Sequence, residues 1–267
     1  HQMQQQVDQK LKEAVAALQD YLVAHPLTED DNHHLLIDFR FHNLDVFESH
    51  YPMLTLKLPH IPYHPDQRVV CVVPNGTEKQ FPLQLELEDM MVMNDQFEKR
   101  RELAKSYDVF LIDETLKDAV KKAGGQKFLS YAQAIFVPDL LKMTLEQASQ
   151  HVNVAQIRGQ TSTVVLGHVG MTVQQLAENM SELLRDYLQV APLGPKNIMS
   201  VVLKLNRSKL PFLPLYQSLK KAGQSLVGAQ EEALDRVFND VMQMALEDGL
   251  VDKEEAEKQK QLMKKRG

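Results

Sequence analysis

The chain has 267 residues, with 30 basic and 36 acidic side chains and a formal net charge of −6 at pH 7. Hydrophobic content of 43% and charged content of 25% are those of a folded globular protein, which excludes a mainly disordered chain and a collagen-like one. No stretch approaches the ~18 consecutive apolar residues of a membrane-spanning helix, and no signal-peptide pattern opens the chain.

The length suits roughly two domains. The single cysteine, Cys71, has no partner for an internal disulfide, as expected of a reducing compartment. The chain opens on His1 rather than Met, which suggests a fragment, a processed product or a tagged form.

Residues 1–25 carry Val7, Leu11, Val15, Leu18 and Leu22 at spacings of three and four, which predicts an amphipathic helix ended by Pro26. After the polar turn Asp30-Asp31-Asn32, residues 34–41 read as a strand and residues 53–58 as a second one. Pro59, Pro62 and Pro65 follow, and prolines that dense continue neither a sheet nor a helix, so a linker is expected. Val69 to Val73 is a continuous apolar run before Pro74-Asn75-Gly76, the pattern of a buried parallel strand.

Strands and helices then alternate. Helices are predicted over 94–106, 114–123 (stopped by Gly124-Gly125) and 144–151, and strands over 108–112 and 133–137. That alternation predicts an α/β domain with a parallel sheet. Beyond Arg158-Gly159 come a β-branched strand over 161–166, a turn at Gly167-His168-Val169-Gly170, a helix over 171–190 with Thr172 as N-cap, and a strand over 198–205. Two helices, 229–247 and 253–265, close the chain, with Asp252 and Glu255 as a capping pair.

Residues 28–58 and 161–205 share one α+β pattern. The simplest architecture is therefore discontinuous. An α+β first domain is built from residues 1–66 and 159–228, a Rossmann-like α/β domain of residues 67–158 is inserted into it, and residues 229–267 form a helical extension. The crossings are expected at the proline-rich link and at Arg158-Gly159.

Charge follows the same division. Residues 1–66 hold 4 basic and 10 acidic side chains, whereas residues 161–228 hold 7 basic and 3 acidic. A polyanion binder needs a local basic face, not a basic total.

No catalytic or metal pattern emerges. Pro74 to Lys79 lacks the glycine spacing and Lys-Ser/Thr end of a phosphate loop. Cys71 lies inside an apolar strand and reads as a buried hydrophobe. His33 and His34, adjacent on a strand, point to opposite faces and cannot share one ion. Asp108, Asp113 and Glu114 flank a strand end, where capping is the ordinary role. His168, between Gly167 and Gly170, sits where backbone is able to approach a ligand closely. Asn206, Arg207, Ser208 and Lys209 leave a strand directly and suit a phosphate- and sugar-binding rim.

These residues carry a resemblance. Leu58-Pro59-His60 resembles the Leu-Pro-His-Gly hinge of the ribosomal L-one proteins. Gly167-His168-Val169-Gly170-Met171 with Leu176-Ala177-Glu178-Asn179-Met180 is similar to the segment that re-enters their first domain, and Gly194-Pro195-Lys196 with Ser200-Val201 to its final loop and strand. The ordered set spans most of residues 28–210. Asn206, Arg207 and Ser208 stand where the ribosomal form has Thr-Met-Gly, and Ile61 stands where it has Gly. The Gly-His-Val-Gly-Met form resembles the L-one-domain assembly proteins of the eukaryotic nucleolus.

The resemblance implies the two-domain L-one fold, with structured RNA bound by the first domain through shape, sugar and phosphate. The expected function is a non-catalytic factor binding ribosomal or precursor RNA in ribosome biogenesis, in the nucleolus or nucleus, alongside other pre-ribosomal assembly proteins. No cofactor, metal, membrane or small-molecule substrate is expected. The expected RNA-binding residues are Arg40, Thr161, Gly167, His168, Gly170, Lys204, Asn206, Arg207, Ser208 and Lys209, with Arg40 and His42 beside the ends of the last strands. The alternatives are a structural large-subunit protein on the cytoplasmic ribosome, a protein-interaction module using the acidic N-terminal segment and C-terminal helices, and an α/β enzyme carried by the middle domain.

Overall fold

The computed structural model describes residues 2–28, 33–42, 54–91, 97–154, 160–205 and 212–218, with a few helical positions between 243 and 261. One sheet has six strands, in the order β10 (Leu213–Gln217), β9 (Ile198–Leu205), β1 (His34–Phe41), β8 (Thr161–His168), β7 (His151–Val154) and β2 (Leu54–Lys57). All of its pairings are antiparallel. The other sheet is parallel, in the order β4 (Gln84–Glu86), β3 (Val69–Val73), β5 (Val109–Asp113) and β6 (Gln133–Val137).

Alternation along β1 decides which face of the large sheet is covered. Leu35, Ile37, Phe39 and Phe41 are buried beneath α1 (Gln2–Ala24) and α6 (Val173–Val190), with the Phe39 ring 4.3 Å from that of Tyr187. The helix α1 contributes Val7, Leu11, Val15 and Leu18, the stripe its periodicity predicts. The helix α6 starts at Thr172, whose Oγ1 accepts the Gln175 N–H while Gln175 Oε1 accepts the Thr172 N–H. That reciprocal cap satisfies two of the donors a helix start leaves open. The residues between, Asp38 and Arg40, face the opposite side of the sheet.

The parallel sheet is buried on both faces, which is why its strands read as continuous apolar runs. Cys71, Val73, Leu111, Ile135 and Val137 join the core of the large sheet. Val70, Val72, Phe110, Ile112 and Phe136 form a second core with Met90 of α2 (Leu87–Met91) and with Val120 and Phe128 of α4 (Lys117–Tyr131). Burial in the first core pushes the Cys71 thiol up to about 12.

The chain passes between the sheets at two adjoining points. The Leu58 N–H donates to Gln150 O at 2.9 Å, and Gln150 Nε2 donates to Pro59 O at 2.7 Å. Asn179 of α6 clamps the hinge. Its Oδ1 accepts the His60 N–H at 2.9 Å, and its Nδ2 donates to His60 O at 3.1 Å and to Leu166 O at 2.9 Å. The free edge of β6 is covered by side chains of the large sheet: Thr55 Oγ1 donates to Phe136 O, and Asn153 Nδ2 to Ala134 O. Covering an edge in this way removes a template for unwanted strand pairing.

Several expectations need correction. Gly124-Gly125 does not stop a helix; α4 continues to Tyr131. Glycine costs about 1 kcal/mol per residue in a helix, and the burial of Phe128 further along α4 offsets that. Gly167 and His168 belong to β8, so the turn is confined to Val169-Gly170. His151 is not helical: α5 (Leu145–Ser149) ends before it and β7 begins on it. The strands β4, β7 and β10 and the helix α2 had no counterpart in the sequence reading. Of the predicted helix 94–106, the described part is α3 (Phe97–Ser106). Arg158 and Gly159 lie outside the described residues, but β7 already belongs to the large sheet at His151. The predicted helices at 229–247 and 253–265 also lie almost wholly outside them.

Candidate nucleic-acid interface

The face of the large sheet opposite α1 and α6 carries polar side chains from three adjacent strands. Arg40 pairs in register with Thr161 of β8 on one side and Ser200 of β9 on the other. Two residues along, Asp38 lies between Thr163 and Val202, and Leu36 pairs with Lys204. Arg40 therefore lies beside the starts of β8 and β9, not their ends.

The charges on this face are unequally satisfied. Asp38 is only 3% exposed; Lys204 Nζ lies 2.9 Å from its Oδ2, and Thr163 Oγ1 donates to its Oδ1 at 2.7 Å. Both carboxylate oxygens are thus occupied. Arg40 has no acidic partner among the described residues. Its guanidinium sits over the ring of Phe212, 4.8 Å from the centroid, and Lys204 Nζ is 6.0 Å from the same ring.

Of the remaining expected residues, Gly167 and His168 lie at the opposite end of β8 and Gly170 in the turn after it. His168 pairs with His34, and Leu205, the last residue of β9, pairs with Leu35. Asn206, Arg207, Ser208 and Lys209 lie outside the described residues. Gly167 is a packing residue: a Cβ there would meet Leu176 Cδ2 at 2.5 Å and Met171 Sδ at 2.6 Å. The Gly170 N–H donates to His168 Nδ1 at 3.1 Å, so the imidazole is satisfied within its own turn.

This end also gathers histidines that sequence spacing does not connect. The His64 ring lies 5.0 Å from His33 and 5.1 Å from His168, and His34 packs edge-on to Tyr63. Burial, reinforced by His64 and His33, lowers His168 to about 4. Burial, reinforced by His168, lowers His34 to about 4. The neutral form suits His168, because its Nδ1 lone pair already accepts a backbone N–H. Among the described residues no group of three or more His, Cys, Asp or Glu side chains is able to hold a metal ion.

A cleft of about 440 Å³ lies between β2 and β7 on one side and the ends of β5 and β6 on the other, lined by Thr55, Lys57, Glu114, Lys117, His151 and Asn153. Its hydroxyl and imidazole are committed elsewhere: Thr55 donates to Phe136 O, and the His151 Nδ1–H to Ala148 O at 3.1 Å. Asp113 caps the turn that follows β5 by accepting the Thr115 N–H and hydroxyl. Asp108 accepts the Arg68 N–H at 2.7 Å. These strand-end acids do structural work.

Residues 22–209 match the ribosomal protein L1p/L10e family. The chain belongs to that family. No curated protein matches it. The L1p/L10e family is one of RNA-binding, generally non-enzymatic ribosomal proteins, and the mixed α/β architecture with two sheets is consistent with it. The matched span holds all ten residues expected to bind RNA and ends before Phe212 and β10.

Three residues of structural weight escaped the sequence reading. Asn179 was visible only as part of the Ala-Glu-Asn motif, with no indication that it clamps His60. Asp38 was legible in principle, as an acid at an alternating position of an otherwise apolar strand. Phe212 carried no signal, because its role depends on the pairing of β10 with β9.

Proposed function

We propose that this member of the L1p/L10e family is a non-catalytic assembly factor that binds structured precursor ribosomal RNA in the nucleolus, together with other pre-ribosomal proteins. The observation that carries the RNA contact is the polar sheet face. It presents Arg40, uncompensated by any described acid, beside the hydroxyls of Thr161 and Ser200. Guanidinium pairs phosphate, and hydroxyls bond sugar and phosphate oxygens. The acid that would repel a polyanion there, Asp38, is buried and neutralised by Lys204. By sequence, Asn206, Arg207, Ser208 and Lys209 supply further side chains suited to phosphate and sugar oxygens.

The departure of residues 206–208 from Thr-Met-Gly, and the Gly-His-Val-Gly-Met form, favour the assembly role over a structural place in the large subunit. Crosslinking in cells, with sequencing of the bound fragments, tests this. Fragments that include transcribed spacer are expected. Fragments from mature ribosomal RNA alone would favour the structural role, and recovery of proteins without RNA would favour an interaction module.

A further inference from the structure

On the polar sheet face, Phe212 is the unusual element. The residue is 53% exposed, although burying an aromatic side chain is favourable relative to leaving it in water. It directly precedes β10, whose Leu213 pairs with Leu203 and Pro214 with Val202, so the ring stands beside Lys204 on the same face as Arg40. The Arg40 guanidinium at 4.8 Å and the Lys204 ammonium at 6.0 Å hold it in place from within the sheet. The result is an aromatic surface bordered by two cations, with the Thr161 and Ser200 side chains flanking Arg40 in register on the same face.

Each part of that arrangement fits one component of a nucleotide. The ring offers a face on which any base is able to stack. Arg40, packed on the ring, has no acidic partner among the described residues, since its neighbour Asp38 is already occupied by Lys204 and Thr163, and its N–H groups are left to meet a phosphate. Thr161 and Ser200 flank Arg40 in register and suit ribose oxygens. A base inside a duplex is already stacked and cannot reach the ring, whereas a base in a loop or bulge is splayed out and available. An acidic peptide would use the cations but leave the ring without a partner.

We infer that Phe212 is a stacking platform for one unpaired base, so that the RNA taken by this face is a helix interrupted by a bulged or looped nucleotide rather than a continuous duplex. The inference rests on the RNA reading above and adds a ligand class to it. Phe212 lies just beyond the span 22–209 that matches the L1p/L10e family.

The test uses the full chain and two synthetic RNAs, one continuous duplex and the same duplex with a single bulged uridine. Phe212→Leu keeps an apolar side chain but removes the π face, and Phe212→Trp enlarges it. Wild type is expected to prefer the bulged RNA. Phe212→Leu is expected to lose roughly tenfold in affinity for it, with duplex affinity unchanged, and Phe212→Trp to retain the preference. If wild type binds both RNAs and Phe212→Leu changes neither affinity, or both equally, the platform is wrong and the RNA reading stands. If wild type binds neither RNA, the RNA reading itself fails. A protein partner lost from Phe212→Leu without any change in RNA affinity overturns the inference in favour of protein docking.

Discussion

Asn179 is fully buried, and its side-chain amide closes a two-way pairing with the backbone of His60, accepting the N–H at 2.9 Å and donating to the carbonyl at 3.1 Å. The pairing ties α6, on the helical side of the large sheet, to the point where the chain leaves for the parallel sheet. The neighbouring side chains reinforce it, with His60 Nε2 2.5 Å from Glu178 Oε2. That contact holds the exposed Glu178 carboxyl below the usual carboxylate range.

Replacing Asn179 by Leu is expected to cost about 2–4 kcal/mol, because the His60 N–H and the carbonyls of His60 and Leu166 lose a buried partner. Urea unfolding measures it. A loss below about 0.5 kcal/mol would mean that the clamp does not hold the hinge.

Gly167→Ala places a methyl within 2.6 Å of both Leu176 and Met171, where α6 meets β8. Overpacking of this kind costs about 1–3 kcal/mol. The loss should be visible in the same urea assay and should be relieved in part by Met171→Ala, which opens space beside the new methyl.

Lys204→Met leaves the buried Asp38 carboxylate with only the Thr163 hydroxyl. Fully buried pairs lose about 3–5 kcal/mol when one partner is removed. The partial exposure of Lys204 brings the expected loss down to about 2 kcal/mol. Adding Asp38→Val should recover most of it, since the unpaired charge is then gone. A double-mutant cycle showing no coupling would exclude the pair as a structural element.

Stability should also depend on mildly acid pH. His34 and His168 titrate at 6.5 when unfolded and at about 4 in the fold. Between those values the unfolded chain binds more protons than the folded one, so stability falls as pH drops from 6.5 toward 4 and is unaffected by these groups above that window. Thermal melts from pH 7.5 to 4.5 should show the decline, and His168→Gln should flatten its slope relative to wild type. Equal slopes for the two proteins would remove His168 as a contributor.

What the sequence made legible was local. Val69 to Val73 was recognisable because its burial on both faces leaves no polar position, and Thr172 because its cap needs only Gln175 nearby. Gly124-Gly125 misled because packing along α4 overrides propensity. The strand β7 was hidden because His151 and Asn153 are polar, and their burial makes sense only once the Ala148 and Ala134 carbonyls are in place. The strand β10 went unread; it contains Pro214, which an edge strand tolerates because its residues need not all donate. At the site, Arg40 and Thr161 were chosen separately, and only the register shows that they adjoin. Spacing gave no sign that Lys204 is committed to Asp38, or that His33, His64 and His168 meet.

The RNA contact at Arg40 is the centre of the account. Its most direct test is the salt dependence of binding to a structured ribosomal RNA fragment, comparing wild type with Arg40→Ala and with Arg185→Ala, an exposed arginine of α6 on the other side of the sheet that is paired to Glu182. Each phosphate contact contributes about one unit to the slope of log affinity against log salt. Arg40→Ala is expected to weaken binding and lower the slope by about one unit, with Arg185→Ala matching wild type. An affinity and slope unchanged by Arg40→Ala would contradict the assignment of this face to RNA.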